Sequence, residues 1–177
     1  SLETVKLTDQ WNTWDHYYTY YQKLKTMGAR VTFLQESDIF DATKYPFMVA
    51  PAYEMVDDAL ISKWKKYVME GGNLILTSRA GMKDNNSHLW EATLQHPIEE
   101  LIGAKVEYFD QLSPSDEASI TFDGSSYKWN VWSDILTPKA NTEILAVHAD
   151  QFYAGKPCVV KNKIGKGNVY YIGAVSK

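Results

Sequence analysis

Residues 71–81 read Gly-Gly-Asn-Leu-Ile-Leu-Thr-Ser-Arg-Ala-Gly. The central run from Asn73 to Thr77 is apolar without alternation, which is the pattern of a strand that helices cover on both faces. The two glycines before it suit the end of a helix, because glycine readily adopts the left-handed backbone found after a helix C-terminus. This stretch therefore predicts a buried strand that follows directly on a helix.

The residues before this strand complete a strand, helix, strand unit. Residues 47–50 form a short apolar run ended by Pro51, which is typical of a buried strand. Asp57 suits the N-cap of a helix, because its carboxylate can accept hydrogen bonds from the first turn. The two strands are therefore expected to be parallel and joined by a right-handed crossover.

The N-terminal part predicts an unusually aromatic helix. Residues 9–27 lack Pro and Gly, carry apolar residues at helical spacing and stop at Gly28, and a strand is expected over 30–34. Aromatic side chains cover about half of the helix circumference, which is wider than a single core stripe. Core packing combined with a protein interface is the favoured interpretation, and stacking on a sugar is the alternative. The aromatic residues are Trp11, Trp14, Tyr17, Tyr18, Tyr20 and Tyr21.

Beyond Gly103 the sequence predicts mainly short strands. Turn residues at 123–124 and 165–167 separate them and indicate hairpins. We therefore predict one α/β domain over residues 1–177, with a mostly parallel sheet and additional C-terminal strands. Its opening strand would be the weak candidate at residues 5–7. A short helix is expected over 97–102, and the predicted strands are 105–109, 118–122, 143–147, 158–161 and 168–172.

Composition and charge narrow the classes of partner. The formal net charge is -4, from 22 acidic and 18 basic residues without a basic run, so nucleic acid is not expected as a partner. No apolar run approaches the ~20 residues that a membrane-spanning helix needs. The single cysteine, Cys158, favours a reducing compartment such as the cytoplasm, or a chain indifferent to redox state. The start at Ser1, without a signal-peptide pattern, indicates a fragment or a processed product.

Two residues could act as nucleophiles, and each has a simpler interpretation. Ser78 follows the strand that ends at Thr77, where α/β folds often place catalytic or ligand-binding groups. The Gly-x-Ser-x-Gly pattern is absent around it, so an ordinary strand-end loop is favoured. Cys158 lies in a predicted strand without a visible basic partner that could lower its pKa, so a buried structural thiol is favoured.

The sequence predicts no metal site, no cofactor and no pair of catalytic carboxylates. The histidines lie far apart without ligand spacing, and the acidic residues are typical of caps, turns and solvated faces. Residues 165–167 have the glycines of a phosphate loop but not its flanking strand and helix, so a hairpin turn is favoured. The residues considered are His16, His88, His96, His148, Glu54, Asp57, Asp58, Asp84, Asp110 and Asp150.

Several stretches resemble, in the same order, the trimerisation domain of family 42 β-galactosidases, which is similar in fold to class I glutamine amidotransferases. Single pieces such as Gly-Gly-x-Leu occur in many amidotransferase-like domains, whereas the succession from Phe-Tyr-Ala-Gly-Lys-Pro to Gly-Lys-Gly is more specific. The opening strand of the family is not recognisable. The matching stretches span most of the chain and are Tyr17-Tyr18-x-x-Tyr21-x-x-Leu24, residues 28–31, 49–52, 71–81, 152–157 and 162–173.

This resemblance implies a flavodoxin-like, class I glutamine amidotransferase-like sandwich. It also implies a parent β-galactosidase whose catalytic glutamates lie in a separate (β/α)₈ barrel, while this chain is not an enzyme and holds three subunits together. Its partners would be its own copies and that barrel. The amidotransferase nucleophile would be a cysteine near Ser78, and none is there. The family-motif or interface candidates are Trp14, Tyr17, Tyr18, Tyr21, Arg79, Gly81, Phe152, Tyr153, Gly155 and Lys156.

Two alternatives from other functional classes stay open. A divergent amidotransferase-like or esterase-like hydrolase requires a reactive side chain in the turn over residues 77–81. A free-standing carbohydrate-binding module requires solvent-exposed aromatic side chains that can stack on a sugar.

Overall fold

The computed structural model describes residues 11–84, 87–89, 97–113 and 115–175. The chain forms two compact units, one ending at Ile39 and the other beginning at Phe40. No helix within the described ranges is long and apolar enough to cross a membrane. The strand expected at residues 5–7 lies outside the described residues.

Among the described residues of the first unit, Thr13–Thr26 form helix α1. Asn12 is its N-cap, and the side-chain oxygen of Asn12 accepts hydrogen bonds from the backbone N–H groups of Trp14 and Asp15 at 3.0 and 3.3 Å. The helix ends just before Gly28, whose φ is +78°. The prediction of a helix that stops at Gly28 is therefore confirmed.

The prediction of a strand over residues 30–34 is wrong. Residues 29–35 have an irregular backbone, and no described strand pairs with them. Phe33 is 82% exposed, and its ring stacks on that of Tyr21 in α1 with 5.8 Å between the ring centroids. Weak alternation of apolar residues does not by itself supply a hydrogen-bonding partner, and here the apolar side chain contacts a helix instead.

The second unit opens with the predicted strand, helix, strand arrangement. Strands β1 (Phe47–Ala50) and β2 (Asn73–Thr77) are parallel neighbours, and helix α2 (Asp58–Met69) lies between them in the chain. The carboxylate of Asp57 caps α2 by accepting a hydrogen bond from the backbone N–H of Leu60 at 2.8 Å. The side chains that α2 buries are Leu60, Trp64, Tyr67 and Val68.

The remainder of the second unit is mainly β-structure. The short helix expected over 97–102 is confirmed as α3 (Glu99–Ile102). All five predicted strands are confirmed, and β5 and β6 are additional. The strands are β3 (Ala104–Gln111), β4 (Ala118–Phe122), β5 (Ser125–Trp129), β6 (Trp132–Pro138), β7 (Glu143–His148), β8 (Pro157–Ile164) and β9 (Gly167–Ile172).

The sheet is mixed rather than mostly parallel, which corrects the sequence prediction. Seven strands follow the order β1-β2-β9-β8-β7-β4-β5, and only the β1–β2 and β2–β9 pairs are parallel. The other neighbours are antiparallel, and two of these pairs, β4 with β5 and β8 with β9, are hairpins joined by short turns. The α/β class is confirmed in this coarser form, and the flavodoxin-like arrangement is not confirmed.

The second unit also contains a two-stranded sheet. Strands β3 and β6 pair antiparallel, with an irregularity between Val106 and Tyr108. A core cluster contains the side chain of Cys158, which is fully buried, and burial raises the pKa of this thiol to about 12. The interpretation of Cys158 as a buried thiol is therefore confirmed. The other buried members of this cluster are Ala118, Trp129, Ile135, Ala146, Tyr153 and Ala174.

Candidate functional site

The turn after β2 lies at the carboxyl ends of the parallel strands, where α/β folds often bind ligands. Ser78 begins this turn, and its backbone N–H donates to the carbonyl of Ile172 at 2.8 Å. The Ser78 side chain is fully buried, and its hydroxyl has no hydrogen-bond partner among the described residues. A serine nucleophile needs an adjacent base and access for substrate, so this geometry does not favour Ser78 as a nucleophile.

The strained residue of the turn is Arg79. Its φ is +69°, which is uncommon for a residue with a Cβ, and Gly81 follows with a φ of +66°. The backbone N–H of Ala80 donates to the carbonyl of Thr77 at 3.1 Å, and that of Gly81 donates to the carbonyl of Tyr53 at 2.8 Å. A strained turn after a strand is how a nucleophile elbow presents its reactive side chain. Here the strained position carries an arginine.

Arg79 is held by an ion pair and by an aromatic ring. Its Nε donates to Oε1 of Glu54 at 2.8 Å, and Nζ of Lys83 contacts Oε2 of the same carboxylate at 2.5 Å. Its guanidinium lies over the ring of Trp132, 4.7 Å from the centroid. Burial alone would raise the pKa of Glu54, but the hydrogen bonds and charges of Lys83 and Arg79 outweigh burial and hold that pKa below its ordinary value.

A buried carboxylate, Asp134, interacts with the backbone and the charge of Arg79. Its oxygens accept hydrogen bonds from Nε1 of Trp132 at 2.9 Å and from the hydroxyl of Tyr171 at 2.6 Å. The backbone N–H of Asp134 donates to the carbonyl of Gly173 at 3.0 Å, so the residue joins β6 to the end of β9. Burial raises the pKa of Asp134 to about 6, although these two hydrogen bonds, a third from the backbone of Arg79 and the charge of Arg79 act in the opposite direction.

The sequence analysis missed both Glu54 and Asp134 as partners of Arg79. Glu54 was considered only as a possible glycosidase acid, and it precedes Arg79 by 25 residues. A signal for Asp134 was present in the sequence, since Trp132-Ser-Asp-Ile-Leu places a charged residue within a run that is otherwise suited to a core strand. Together, two acids and two cations form an interlocked network that ties separate segments to the turn after β2.

Ser133, the neighbour of Asp134 in β6, forms a second buried polar pair with His148. The hydroxyl of Ser133 and Nε2 of His148 are 3.4 Å apart, and both side chains are buried. Burial lowers the pKa of the His148 imidazole, although the nearby charges of Asp110 and Asp150 act in the opposite direction. The ring of His148 packs against those of Trp129 and Tyr153. This pair resembles part of a catalytic triad in composition, but its burial leaves a substrate no access.

Four of the other candidate acids have structural partners. Asp57 caps α2, Asp84 accepts the backbone N–H of His88 at 2.9 Å, and Asp150 accepts that of Ser119 at 3.1 Å. Asp110 accepts a hydrogen bond from the hydroxyl of Tyr153 at 2.5 Å. Within the described part of the chain, no group of three or more His, Cys, Asp or Glu side chains could hold a metal ion.

Phe152 is the most exposed of the large hydrophobic residues that the structure describes. Its side chain is 86% exposed, although its ring lies parallel to that of Tyr108 and meets the edge of Tyr153. The turn beneath it is well connected, because the backbone N–H of Gly155 donates to the carbonyl of His148 at 2.8 Å and that of Lys156 to the carbonyl of Tyr153 at 3.0 Å. The turn therefore presents one aromatic side chain on a fixed support.

The candidate residues of α1 divide into exposed and half-buried side chains. Trp14 and Tyr18 are 80% and 59% exposed, whereas Tyr17 and Tyr21 are half-buried. Tyr18 and Tyr21 stack with 6.5 Å between centroids, and Trp14 meets Tyr17 at 6.2 Å. No residue of this helix is fully buried. The structure thus groups the candidates into three sets: this helix, the turn of Arg79 and Gly81, and the turn of Phe152.

Ser78→Ala is expected to change the free energy of unfolding by no more than about 1 kcal/mol, because the hydroxyl it removes makes no hydrogen bond. Thr77→Val is the matched comparison, since Oγ1 of Thr77 accepts the backbone N–H of Ala52 at 2.7 Å in a buried position. Its loss should cost about 1–3 kcal/mol. Urea unfolding of both variants provides the measurement, and equal losses would contradict this account of Ser78.

Comparisons with known proteins agree on one family. The model of the family described as the β-galactosidase trimerisation domain matches residues 1–177. A β-galactosidase of Haloferax lucentense is 30% identical over 167 residues, which are 94% of this chain and 25% of that protein. The chain thus spans about a quarter of the length of the curated relatives it matches.

Solved structures give the same result. A β-galactosidase from the Antarctic haloarchaeon Halorubrum lacusprofundi superposes with a TM-score of 0.73 at 28% identity, covering 81% of this chain and 21% of that one. A β-galactosidase from Bacillus circulans sp. alkalophilus has a TM-score of 0.86 at 22% identity, covering 94% of this chain and 25% of that one. The second likeness concerns the fold alone.

Proposed function

The chain belongs to the family of β-galactosidase trimerisation domains, and on that premise we propose that it is a non-catalytic domain that holds three copies of its parent protein together. The family match over the whole chain is the observation that carries this proposal. The parent is proposed to be a β-galactosidase that hydrolyses terminal β-galactosides in a separate barrel domain. Supporting this, the chain spans only about a quarter of relatives that are themselves β-galactosidases.

The site after β2 supports a structural role for this chain. Its strained position carries Arg79, whose side chain is bound to Glu54 and lies over Trp132. Neither the guanidinium nor the buried hydroxyl of Ser78 is suited to attack a substrate. Arg79 and Gly81 are therefore proposed to maintain the turn, and the parent's acid/base and nucleophile groups are proposed to lie outside this chain. The partners are proposed to be its own copies and that barrel, and the net charge of -4 argues against nucleic acid.

The exposed aromatic residues are the proposed subunit contacts. Trp14 and Tyr18 of α1 expose more than half of their side chains, and Phe152 projects from a well-supported turn. Large aromatic side chains on fixed supports dominate the energetics of many interfaces, because they bury a large area while losing little conformational freedom. The proposal also includes the residues that support or flank these three aromatic side chains, which are Tyr17, Tyr21, Tyr153, Gly155 and Lys156.

Sedimentation equilibrium of the 20.2 kDa chain over a wide concentration range is the test. The mass is expected to shift towards three chains as concentration rises, and Phe152→Ala should weaken the association about 10-fold or more. Met69→Ala is the control. Met69 is also an exposed hydrophobic residue, at 51%, but it is the last residue of α2 and is not one of the proposed contact residues. A strict monomer at every concentration would contradict the proposal.

A carbohydrate-binding module is the second candidate, and the Phe152 ring favours it. One face of this ring lies against Tyr108, and the side chain is 86% exposed, as a platform for a sugar ring would be. Calorimetric titration of the chain with galactose and lactose distinguishes the two functions. Heat of binding that disappears in Phe152→Ala would support the module, whereas its absence together with trimer formation would support the oligomerisation domain.

A further inference from the structure

The connection between β5 and β6 is a strained turn around Val131. The backbone N–H of Trp132 donates to the carbonyl of Asn130 at 2.8 Å, which closes a γ-turn, and the φ of Val131 is +67°. A positive φ marks the rare and strained form of this turn, and a β-branched residue seldom adopts it. The N–H of Leu112 donates to the carbonyl of Val131 at 3.2 Å, and that of Asn130 donates to the carbonyl of Val175 at 3.1 Å. Strain of this kind persists only where neighbouring groups fix the backbone.

Three buried polar atoms at this turn have no hydrogen-bond partner among the described residues. They are Nε1 of Trp129, Oδ1 of Asn130 and Nδ1 of His148, and these residues are 1%, 3% and 1% exposed. Folded proteins pair nearly all of their buried polar atoms, either with protein groups or with ordered water. In the described part of the chain, one further side-chain atom is buried without a partner, Oγ of Ser78. The concentration of such atoms at this turn points to a small polar ligand.

The two rings among these groups come from different strands and meet on one face of the sheet. Strand β4 lies between β5 and β7, and its Ala118 pairs with Trp129 of β5. Two residues further along β4, Ile120 pairs with His148 of β7, so Trp129 and His148 lie on the same face. Their rings are in edge contact, with 5.9 Å between the centroids and 70° between the planes. Asn130 directly follows Trp129 in the chain.

The chemistry of the three atoms defines what they can bind. Nε1 of Trp129 only donates, and Oδ1 of Asn130 only accepts. Burial lowers the pKa of His148, whereas a hydrogen bond with the backbone of Asp134 raises it, so the ring donates this bond to the Asp134 carbonyl. Because Nδ1 is unpaired, the donor is Nε2, and an uncharged imidazole that donates through Nε2 accepts through Nδ1. The three atoms therefore require a ligand that accepts one hydrogen bond and donates two.

A water molecule has this capacity, because a buried water typically makes about three hydrogen bonds to groups that would otherwise be unpaired. An ammonium ion has no lone pair for the indole, and a halide has no proton for either acceptor. We propose that the fold binds one structural water between β5 and β7, which accepts from Nε1 of Trp129 and donates to Nδ1 of His148 and Oδ1 of Asn130. This water ties β7 to the strained turn, and so helps to fix the connection between the seven-stranded and the two-stranded sheet.

Nuclear magnetic resonance of the isotope-labelled wild-type chain tests the site through rotating-frame cross-peaks between water and the indole N–H protons. The matched comparison is Trp132, which is also buried but donates from Nε1 to the carboxylate of Asp134 at 2.9 Å. We expect a cross-peak with the sign of a bound water at Trp129 and none at Trp132. The imidazole nitrogen shifts of His148 should show a protonated Nε2 and an unprotonated Nδ1.

Asn130→Ala tests the third partner, because it removes one of the two acceptors of the water. We expect the indole resonance of Trp129 to shift and its water cross-peak to weaken. Asn162→Ala is the matched control and should change neither, since Asn162 lies in β8 and its amide donates to the carbonyl of Leu101 at 3.0 Å.

The water site is overturned by an absent or an unselective cross-peak. Its absence at Trp129 would mean that a protein group, such as the face of the His148 ring, satisfies the indole N–H. Equal cross-peaks at Trp129 and Trp132 would mean that bulk water reaches both. A protonated Nδ1 would overturn the bond to His148, and an unchanged cross-peak in Asn130→Ala would overturn the bond to that amide. The wild-type measurements need no variant, so the proposal stays testable even if Asn130→Ala fails to fold.

Discussion

Replacing Gly167 by alanine is expected to destabilise the second unit by about 3 kcal/mol or more. A Cβ at this position would lie 2.1 Å from the carbonyl oxygen of Gly72 and 2.4 Å from that of Val68. Both are backbone atoms, so no side-chain rotation can relieve the overlap. The start of β9 would have to move away from the end of α2 and from β2, which would disturb the parallel pairing of β2 with β9.

The matched control for Gly167→Ala is Gly124→Ala. Gly124 has a φ of +73° but nothing within 4 Å of an added Cβ, so alanine there should cost only about 1 kcal/mol through backbone strain. The midpoints of urea unfolding, monitored by circular dichroism, give both differences. If Gly167→Ala loses no more stability than Gly124→Ala, the close approach at Gly167 does not constrain the fold.

Local features of the fold could be predicted from the sequence. Asp57 and Gly28 mark the ends of helices because capping depends on one or two residues. The turns at 123–124 and 165–167 were predicted as hairpins for the same reason. Which strands of the sheet are parallel could not be predicted in this way, because strand order depends on contacts between segments far apart in the chain. The β2–β9 pair, for example, joins Asn73 to Asn168.

The candidate site shows the same division. The sequence located the turn after Thr77, since a buried strand followed by small and polar residues is a local pattern. It did not reveal that Arg79 adopts a left-handed backbone or that its partner is Glu54. Nor did it show that Asp134 would meet Tyr171, because the pairing requires β6 and β9 to be brought together. Tertiary contacts of this kind leave little trace in one sequence.

We expect the free energy of unfolding of Asp134→Asn, minus that of the wild type, to increase by about 3 kcal/mol as the pH rises from 4 to above 6. In the folded chain, burial raises the pKa of Asp134 from its ordinary value of 3.8 to about 6. Below pH 3.8 the carboxyl is protonated in both states and contributes no penalty. Between these values the unfolded chain releases the proton and the folded chain keeps it, so wild-type stability falls as pH rises from about 4 to about 6 and is constant above that. A change of one in the pKa corresponds to about 1.4 kcal/mol, which gives the expected size.

The difference between the two proteins isolates this carboxyl, because all other titrating groups are common to both. Asparagine keeps an oxygen for Nε1 of Trp132, so any cost of the altered bond to Tyr171 should be constant with pH. Tyr171→Phe is the companion variant. It removes a hydrogen bond that favours the charged carboxylate, so the fall in stability should move to higher pH. Urea unfolding at half-unit steps of pH measures all three proteins. A difference that stays flat from pH 4 to 7 would mean that Asp134 keeps its ordinary pKa in the fold, and that the network around Arg79 compensates its charge fully.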